Sequence, residues 1–443
     1  MASILNLSRR SLLAGTAATA AAAALPRIRP AWAAPDWKKY AGTHIEVNLV
    51  KSPRSETIAR HLQEFIDLTG IDVGLEQTPE QQQRQKAVVE FNSGAPSFDV
   101  IHLSYHVQKR MFEKGGWLAD LRPFLADPAL ADPAVSLTDF SSAGLDYATA
   151  ADGAIGSLPL SVDYWIIYWN KELFAAKGLK YPTSFEELVS AAEALTDPAA
   201  GTYGFVARGM KNANVPVWTS FMLGNGVAPL AEDRSLATTS DGAVEAAKLY
   251  QRLLTKAAPP GVAGFNWNEC QSAFLQGKVG MWLDGVGFAK PLEDPKLSRV
   301  VGKTGYGVMP KGPKDQASAT FGDGIGVTAA SENKEAAFLF CQWAVSRTVQ
   351  ADLLQSGSGV PFRTSILDDA EVRKGVTLPA EWIDAVVGSS KVSKLGLPVI
   401  VPVTEFRDIF GIALTNIAGG ADPASELAKA TEQFKPILDK SEA

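Results

Sequence analysis

The segment LPLSVDYWIIYWNKELF, residues 158 to 174, places one acidic residue among large aromatic residues in an apolar stretch. Asp163 is followed directly by Tyr164 and Trp165. A carboxylate in such surroundings needs partners, because burying an unpaired charge costs free energy. Aromatic rings beside one polar group fit a catalytic strand, a buried core strand or the floor of a binding cleft. Asp163 is therefore a candidate ligand group, and the alternative is a carboxylate that hydrogen-bonds only to the backbone around it.

Three common catalytic signatures are absent from the sequence. It contains no GxSxG, no HExxH and no GxxxxGK followed by serine or threonine, which argues against frequent hydrolytic and phosphate-handling sites. The glycines of FGDGIG, Gly322, Gly324 and Gly326, lack the spacing of a phosphate-binding fingerprint, and they predict a strand that a ligand approaches closely. His102 and His106 would share a face if they were helical, but their segment leaves a strand, so we expect no metal site.

The length and composition of the chain predict a soluble globular protein with more than one lobe. A chain of 443 residues exceeds what one hydrophobic core usually serves. Hydrophobic residues make up 46% and charged residues 20%, and no acidic or basic block suggests a tail. We expect no nucleic-acid partner, no cofactor and a monomeric protein.

The first 33 residues have the features of an export signal. They contain no acidic residue, open with SRRSLLAG, continue through an alanine-rich run and reach AWA at 31–33. Arg9 and Arg10 resemble the twin-arginine type of signal, which a receptor reads before the segment is removed. We expect cleavage near Ala33 and a periplasmic protein, whose formal charge changes from −6 to −10 on losing the four arginines of this segment. The alternative is that the run stays in the membrane as an anchor.

An exported chain meets oxidising conditions, so its two cysteines are relevant. Cys270 and Cys341 both lie in apolar patterns typical of helices. A disulfide needs their Cα atoms within about 7 Å, which the sequence does not establish. We expect buried, unpaired thiols, and a disulfide remains the alternative.

The mature chain begins with a βαβ pattern. HIEVNLVKSPRSETIARHLQEFIDLTGIDVGLEQ predicts a strand, an amphipathic helix and a second strand. The helix carries Ile58, Leu62, Phe65 and Ile66 on one face. Alternating strands and helices favour an α/β fold with a mainly parallel sheet that is covered on both faces.

Further strands and helices follow at regular intervals. Ligands of parallel sheets bind outside the carboxyl ends of the strands, so the loops 51–56 and 104–106 are candidate walls of a site. Strands are predicted at 98–103, 155–169, 203–206 and 279–283, and helices from 171, at 184–195, near 218–223 and at 242–254. The stretch 155–169 is longer than an ordinary strand, and extended chain of this length can pass from one lobe to another.

Four segments together resemble extracellular solute-binding proteins of family 1, which serve ATP-driven carbohydrate importers and include the maltodextrin-binding protein. The segments are YWNKELFAAKGLKYPTSFEELVSAAEALT, FLQGKVGMWLDG, FGDGIGVTAASENKEAAFLFCQW and GSGVPFRTSIL. The resemblance implies a two-lobed periplasmic-binding-protein fold of type II, with a ligand cleft and a hinge at the lobe junction. It places Asp163 at the cleft base. The expected N-terminal lobe is 34–160 with 317–359, and the expected C-terminal lobe is 161–316 with 360–443.

The expected ligand-binding residues come from strand ends, from aromatic residues near the expected cleft and from polar groups at the ends of the four segments. They are Lys51, Ser52, Ser104, Tyr105, Asp163, Tyr164, Trp218, Thr219, Trp282, Asp284, Gly322, Asp323, Gly324 and Arg363. Trp282 is expected in the wall opposite Asp163. For each tryptophan, ordinary core packing is the alternative.

The resemblance implies that the protein captures a sugar, polyol or similar solute and delivers it to the membrane permease of an ABC-type importer, without turnover. One position departs from the maltodextrin-binding member: DGVGF has Gly287 where that member carries a stacking tryptophan. This difference favours a smaller or more polar ligand than a long oligosaccharide. The alternative function is a secreted glycoside hydrolase, since two carboxylates about 5 to 10 Å apart would suffice for that chemistry.

Overall fold

The computed structural model describes residues 35–150 and 152–442, so the expected signal peptide at 1–33 lies outside the described residues. The strands in this part are β1 (His44–Val50), β2 (Asp72–Thr78), β3 (Val100–Ser104), β4 (Leu158–Asn170), β5 (Tyr203–Val206), β6 (Val279–Gly285), β7 (Thr304–Val308), β8 (Ser318–Val327) and β9 (Ser393–Leu395). The α-helices are α1 (Pro53–Thr69), α2 (Glu80–Ser93), α3 (Tyr105–Gly115), α4 (Arg122–Ala126), α5 (Ser142–Ala148), α6 (Lys171–Ala176), α7 (Phe185–Leu195), α8 (Val215–Gly224), α9 (Asp241–Lys256), α10 (Trp267–Leu275), α11 (Lys334–Ala344), α12 (Arg347–Gln355), α13 (Thr364–Leu367), α14 (Ala370–Lys374), α15 (Ala380–Lys391), α16 (Val403–Ala418) and α17 (Pro423–Glu442).

Strand β4 belongs to two groups of strands at once. Residues 158–164 pair with β8, whereas residues 165–170 pair with β6 and β7. The strand order β2-β1-β3-β8-β4-β6-β5 therefore divides at β4. We call the strands β2, β1, β3 and β8 the first half-sheet and the strands β7, β6 and β5 the second half-sheet. A single extended segment of 13 residues thus joins two α/β lobes, as its length predicted.

The sheet is mixed, which differs from the mainly parallel sheet expected from the βαβ pattern. The pairs β1/β2, β1/β3, β5/β6 and β8/β9 are parallel, and the pairs β3/β8, β4/β8, β4/β6 and β4/β7 are antiparallel. The antiparallel pairs all involve β4 or β8. These strands do not belong to βαβ units, so the alternation of strands and helices does not set their direction.

The helices pack in two groups that follow the two half-sheets. Helices α11 and α12 contact α1, and the rings of Phe65 and Phe340 meet edge to face at 5.2 Å. Helices α16 and α17 contact α9, and Phe410 on α16 stacks on Trp218 of α8 at 5.5 Å. The boundaries 34–160 with 317–359 and 161–316 with 360–443 remain a prediction.

Local side-chain caps explain why several helices begin where the sequence predicted. Asn170 Oδ1 accepts hydrogen bonds from the backbone N–H groups of Glu172 and Leu173, so α6 starts directly after β4. Ser184 Oγ accepts from the N–H of Glu187 at the start of α7. Such caps satisfy N–H groups that have no partner within the helix. The asparagine-lysine and threonine-serine sequences thus fix helix starts through short-range bonds.

Cys270 and Cys341 are buried and unpaired in the structure, as expected. In residues 35–150 and 152–442, no helix combines the length and the apolar character that a membrane span requires.

Candidate functional site

A cavity with many charged side chains in its wall lies between the half-sheets and encloses about 70 Å³ of space for the centres of water-sized molecules. The first half-sheet and its helices contribute Val50, Lys51, Ser52, Arg54, Glu80, Arg84, His102, Ser104 and His106. The elements around the second half-sheet contribute Arg208, Pro216, Trp267, Phe288 and Arg407. Strands β4 and β8 contribute Asp163, Trp165, Phe321 and Asp323. Both lobes therefore line one site, at the strand ends where α/β sheets bind ligands.

One arginine, Arg54 in the first turn of α1, holds two carboxylates at the cavity. Its Nη2 lies 2.9 Å from Asp163 Oδ2, and its Nη1 lies 3.1 Å from Asp323 Oδ2. Burial opposes the charge of Arg54, but the two carboxylates raise its pKa. Burial raises the pKa of Asp163 in spite of Arg54, because Asp284 and Asp323 add repulsion. Asp323 differs from Asp163. Burial also raises the pKa of Asp323, but Arg54 and His102 outweigh burial and hold this pKa well below its ordinary value.

The backbone after β6 approaches Asp163 closely. Gly287 N–H points at Asp163 Oδ1 with a separation of 3.4 Å. A Cβ atom on Gly285 would collide with the Asp163 carboxylate, so this position requires glycine for close approach. At Gly287 an added Cβ would come within 3.2 Å of Ser358 O and 3.5 Å of Arg54 Nη2. Gly287 thus lies beside the Asp163–Arg54 pair.

Arg208 follows β5 and forms a two-pronged ion pair with Asp284 at the end of β6. Its Nε lies 3.2 Å and 3.0 Å from the two carboxylate oxygens, and its Nη2 lies 2.5 Å from Oδ1. The guanidinium also lies over the rings of Trp165 and Phe288, at 5.2 Å and 5.9 Å. Burial lowers the pKa of Arg208, but the opposite charge of Asp284 outweighs burial and raises the pKa above its ordinary value. Asp284 does not line the cavity; it fixes a guanidinium that does.

Two further arginines, one from each lobe, face the cavity. Arg84 on α2 bonds to Glu80 at 2.7 Å and donates to Ser104 Oγ at 3.0 Å. Arg407 on α16 donates through Nε to the backbone oxygen of Asn212 at 3.1 Å. Burial alone would raise the pKa of Glu80, but Arg84, Arg208 and Arg407 lower it to about 2. Burial and the nearby Arg84 lower the pKa of Arg407 to about 9.

The two histidines line the cavity from different elements. His102 lies on β3, where its Nδ1 accepts from the N–H of Val50 at 3.3 Å and its Nε2 is 3.7 Å from Asp323 Oδ1. His106 lies on α3 and meets the ring of Phe321 edge to face at 4.9 Å. Burial and Arg84 lower the pKa of His106 to about 3, so the imidazole is neutral. Within the described residues, no group of three His, Cys, Asp or Glu side chains is placed to hold a metal ion.

Aromatic rings form the apolar part of the cavity wall. Trp267 at the start of α10 stacks on Phe288 with ring centroids 4.9 Å apart. Trp165 on β4 packs against Phe321 on β8 at 5.2 Å. The cavity therefore combines ring faces with charged hydrogen-bonding groups, which is the combination that binding of a polyhydroxylated solute requires.

The sequence-predicted site residues fall into two sets. Five line the cavity: Lys51, Ser52, Ser104, Asp163 and Asp323. They come from the ends of β1 and β3, from β8 of the first half-sheet and from β4, which belongs to both groups of strands. Their positions at strand ends and on the central strands explain why these five residues lie together.

Tyr105, Trp218, Thr219, Trp282 and Tyr164 lie away from the cavity. Tyr105 hydrogen-bonds to Ser157 Oγ at 2.8 Å inside the first lobe. Trp218 Nε1 donates to the backbone oxygen of Ala243 at 2.9 Å, and Thr219 Oγ1 donates to that of Gly396 at 2.5 Å. Trp282 is fully buried and stacks on Tyr168 at 4.7 Å, so the expected wall opposite Asp163 is a core residue. Tyr164 is half-buried opposite Thr320 on β8.

Gly322, Gly324, Arg363 and Asp284 also lie outside the cavity lining. Cβ atoms on Gly322 and Gly324 would meet Phe362 and Tyr105, so these glycines face the core of the first lobe, whereas Asp323 between them faces the cavity. Arg363 pairs with Asp139 at 2.7 Å and donates to the backbone oxygens of Val345 and Ala134. Of the nine predicted residues outside the cavity lining, we keep only Asp284 in the proposed site, because it supports Arg208.

A family profile described as bacterial extracellular solute-binding protein matches residues 55–351. The chain belongs to this family. The match includes β4, β6, β8 and all of α1 except its first two residues, and therefore most of the elements that surround the cavity.

Two curated relatives and one crystal structure are similar to this solute-binding protein over most of its length. An erythritol/L-threitol-binding protein of Mycolicibacterium smegmatis is 27% identical over 415 residues, covering 88% of this chain and 85% of the relative. A probable amino-acid ABC transporter periplasmic-binding protein of Sinorhizobium fredii is 29% identical over 348 residues, covering 76% of each. An ABC transporter solute-binding protein of Agrobacterium radiobacter in complex with ribitol has a TM-score of 0.82 and 26% identity, covering 90% of this chain and 99% of the other.

None of the four arginines that line the site of this solute-binding protein was among the residues predicted from the sequence. Arg54 lies within the loop 51–56 that the strand-end argument selected, but it was not singled out. Arg208 follows the carboxyl end of β5, so its position at a strand end was a signal of the same kind. Arg84 and Arg407 had a different signal: each shares a helix face with buried apolar residues, Arg84 with Phe91 and Arg407 with Phe410. A charged residue on a buried helix face needs a partner or a ligand.

Proposed function

We propose that this solute-binding protein captures a short polyol, a monosaccharide or a similar polyhydroxylated solute in the cavity between its lobes. The observation that carries the proposal is that both lobes supply ring faces and guanidinium groups to one cavity, which the carboxylates of Glu80, Asp163 and Asp323 also line. Carboxylates accept hydrogen bonds from hydroxyl groups, and guanidinium groups donate to hydroxyl oxygens. The names of the erythritol/L-threitol-binding relative and of the ribitol complex support this solute class.

The size of the cavity favours a small solute. A bound water needs roughly 10 to 15 Å³ of such space for its centre, so 70 Å³ corresponds to only a few water-sized groups. Gly287, where the maltodextrin-binding member has a stacking aromatic residue, agrees with a ligand shorter than an oligosaccharide. The solute then passes to the membrane permease of an ABC-type importer, and the protein acts as a monomer that binds without turnover.

A ligand screen tests the proposal. Binding to the native state alone stabilises it by RT ln(1 + [L]/Kd), about 2.7 kcal/mol at a hundredfold excess over Kd. The panel contains polyols and sugars of four to six carbons, their acids, and amino acids because of the second relative. A raised melting temperature with a polyhydroxylated compound supports the proposal, and a response to amino acids alone contradicts it. Incubation with glycosides tests the enzyme alternative, since released products would show turnover.

Lobe closure follows from a cavity that both lobes line. Gln81 on α2 donates to Asn212 Oδ1 at 3.2 Å, so the structure has the lobes in contact beside the cavity. Solute bound to both lobes favours the closed arrangement over an open one. We expect X-ray scattering to show a smaller radius of gyration with ligand than without it. Superimposable curves at saturating ligand would argue against closure.

Export by the twin-arginine route places the protein in the periplasm, with cleavage near Ala33. Replacing Arg9 and Arg10 by lysine should block export, because the receptor reads the paired arginines. Replacing Arg27 and Arg29 by lysine is the matched control and should leave localisation unchanged. Normal export of the Arg9/Arg10 variant would exclude this route.

A further inference from the structure

Two buried guanidinium groups face the cavity from opposite lobes with unused hydrogen-bonding capacity. Arg84 on α2 is 8% exposed, and Arg407 on α16 is 4% exposed. The Nε and Nη1 atoms of Arg84 are buried and have no hydrogen-bond partner. Arg407 uses Nε for the backbone oxygen of Asn212, and among the described residues no carboxylate lies within ion-pair distance of its guanidinium.

The charges of the cavity are unevenly distributed. Arg54 is shared by two carboxylates, Asp163 and Asp323, so this group has one more negative than positive charge. The other three guanidinium groups, of Arg84, Arg208 and Arg407, have two carboxylate partners, since Glu80 pairs with Arg84 and Asp284 pairs with Arg208. This group of three arginines therefore has one more positive than negative charge. Burial is the main cause of the low pKa of Arg407, about 9, and the nearby Arg84 and Arg208 lower it further.

A neutral polyol would satisfy only part of this requirement. Its hydroxyl oxygens can accept hydrogen bonds from the free N–H groups, but it leaves the repulsion between the guanidinium groups unchanged. An oxyanion accepts the same hydrogen bonds and supplies the missing negative charge, and such charge-assisted bonds are stronger than neutral ones. Because Arg84 and Arg407 come from different lobes, an anion between them also favours closure of the lobes.

We propose that the solute is a polyhydroxylated acid whose carboxylate or phosphate group is held between Arg84 and Arg407. Its hydroxyl groups then lie toward Asp163 and Asp323, where carboxylate oxygens accept from them. This inference rests on the proposed function, since it specifies the chemistry of the same solute. It separates the protein from binders of neutral polyols, because an uncharged alcohol leaves the excess positive charge uncompensated.

Matched pairs of compounds test the inference by calorimetric titration. The pairs are erythritol with erythronate, ribitol with ribonate and mannitol with mannonate, and ribitol 5-phosphate is the phosphate arm. We expect an acid to bind at least tenfold more tightly than the alcohol of the same carbon skeleton, and the tighter of ribonate and ribitol 5-phosphate identifies the anionic group. Equal or tighter binding of the neutral alcohol overturns the inference and leaves the proposed function intact. Failure of every alcohol, sugar and acid to bind overturns both.

The variant Arg407→Gln distinguishes charge recognition from a structural role. Removing a crowded buried cation should leave the melting temperature of the ligand-free protein unchanged or higher, so loss of folding is not expected. Affinity for the acid should fall at least tenfold, while affinity for the matching alcohol changes less than threefold. Arg407→Lys keeps the charge and should retain more acid binding than Arg407→Gln. The control Arg252→Gln removes an exposed arginine that pairs with Glu193 and should change neither affinity. Equal losses for acid and alcohol in Arg407→Gln would refute the role of charge.

Discussion

Asp163 on the shared strand β4 is joined to Arg54 on α1 by an ion pair of 2.9 Å between Oδ2 and Nη2. The same guanidinium reaches Asp323 on β8, so α1 is tied to both strands at the junction of the lobes. Asp163 is therefore not a carboxylate satisfied by backbone groups alone. Its principal partner is a side chain that also lines the cavity, which places the carboxylate where a hydroxylated solute can reach it.

We predict that Asp163→Asn weakens ligand binding on the order of tenfold to more than a hundredfold. Asparagine nearly preserves the shape but removes the charge and one acceptor. In the variant, Arg54 still forms its ion pair with Asp323. The variant also avoids burying the Asp163 carboxylate, whose charged form burial disfavours. The melting temperature should therefore stay close to that of the parent. Calorimetric titration measures the affinity. Asp384→Asn, which removes an exposed aspartate on α15, is the control. If Asp163→Asn binds as tightly as the parent, Asp163 only positions Arg54.

We predict that Asp284→Ala destabilises the protein by about 3 to 5 kcal/mol, because it leaves the buried guanidinium of Arg208 without its counter-charge. Denaturant unfolding measures the change. The double variant Asp284→Leu/Arg208→Met should recover most of the stability while losing ligand affinity, since Arg208 lines the cavity. Glu193→Gln, which breaks the exposed pair with Arg252, should cost less than about 1 kcal/mol. A double variant as unstable as Asp284→Ala would show that the loss has another origin.

Local sequence signals predicted the elements of the fold well. Asn170 and Ser184 act through bonds to residues two or three positions away, so the starts of α6 and α7 follow from short segments. The length of the apolar stretch predicted that β4 crosses between the lobes. The direction of β4 and β8 relative to their neighbours was not predictable in this way, because it depends on pairing between distant segments.

The site was less accessible to sequence reasoning than the fold. Trp282 and Trp165 are both tryptophans on strands, but Trp165 lines the cavity and Trp282 lies in the core. Alternation along a strand separates the two faces without telling which face borders a cavity. Arg407 lies 199 residues beyond Arg208 in the chain, and only the packing of α16 brings it to the same site.

We predict that Trp282→Ala lowers stability by about 3 to 5 kcal/mol, the usual cost of deleting a large aromatic side chain from a core. The ring is fully buried and stacks on Tyr168 at 4.7 Å. Ligand affinity, measured at a temperature where the variant remains folded, should change little. Trp165→Ala is the comparison, and it should reduce both stability and affinity because Trp165 lines the cavity and supports Arg208. A large loss of affinity in Trp282→Ala alone would restore Trp282 to the site.

The ion pair between Glu80 and Arg84 predicts a specific dependence of stability on pH. The folded protein lowers the pKa of Glu80 from 4.5 to about 2, despite the opposing effect of burial, because guanidinium groups surround it. A carboxyl group whose pKa is lower in the folded state stabilises the fold above its unfolded pKa, and this contribution is lost as pH falls toward the folded value. The contribution of Glu80 should therefore be complete above pH 4.5 and decrease from there toward pH 2.

Glu80→Gln tests this dependence. At pH 7 the variant should unfold at a lower temperature than the parent, because Arg84 loses its ion-pair partner and Arg407 loses a compensating charge. The difference between the two melting temperatures should narrow as pH falls from 4.5 to 3, since the parent then begins to lose the same charge. Glu432→Gln on α17, which changes an exposed glutamate, should show no such trend. A difference that stays constant over this pH range would show that Glu80 acts through its shape and hydrogen bonds and not through its charge.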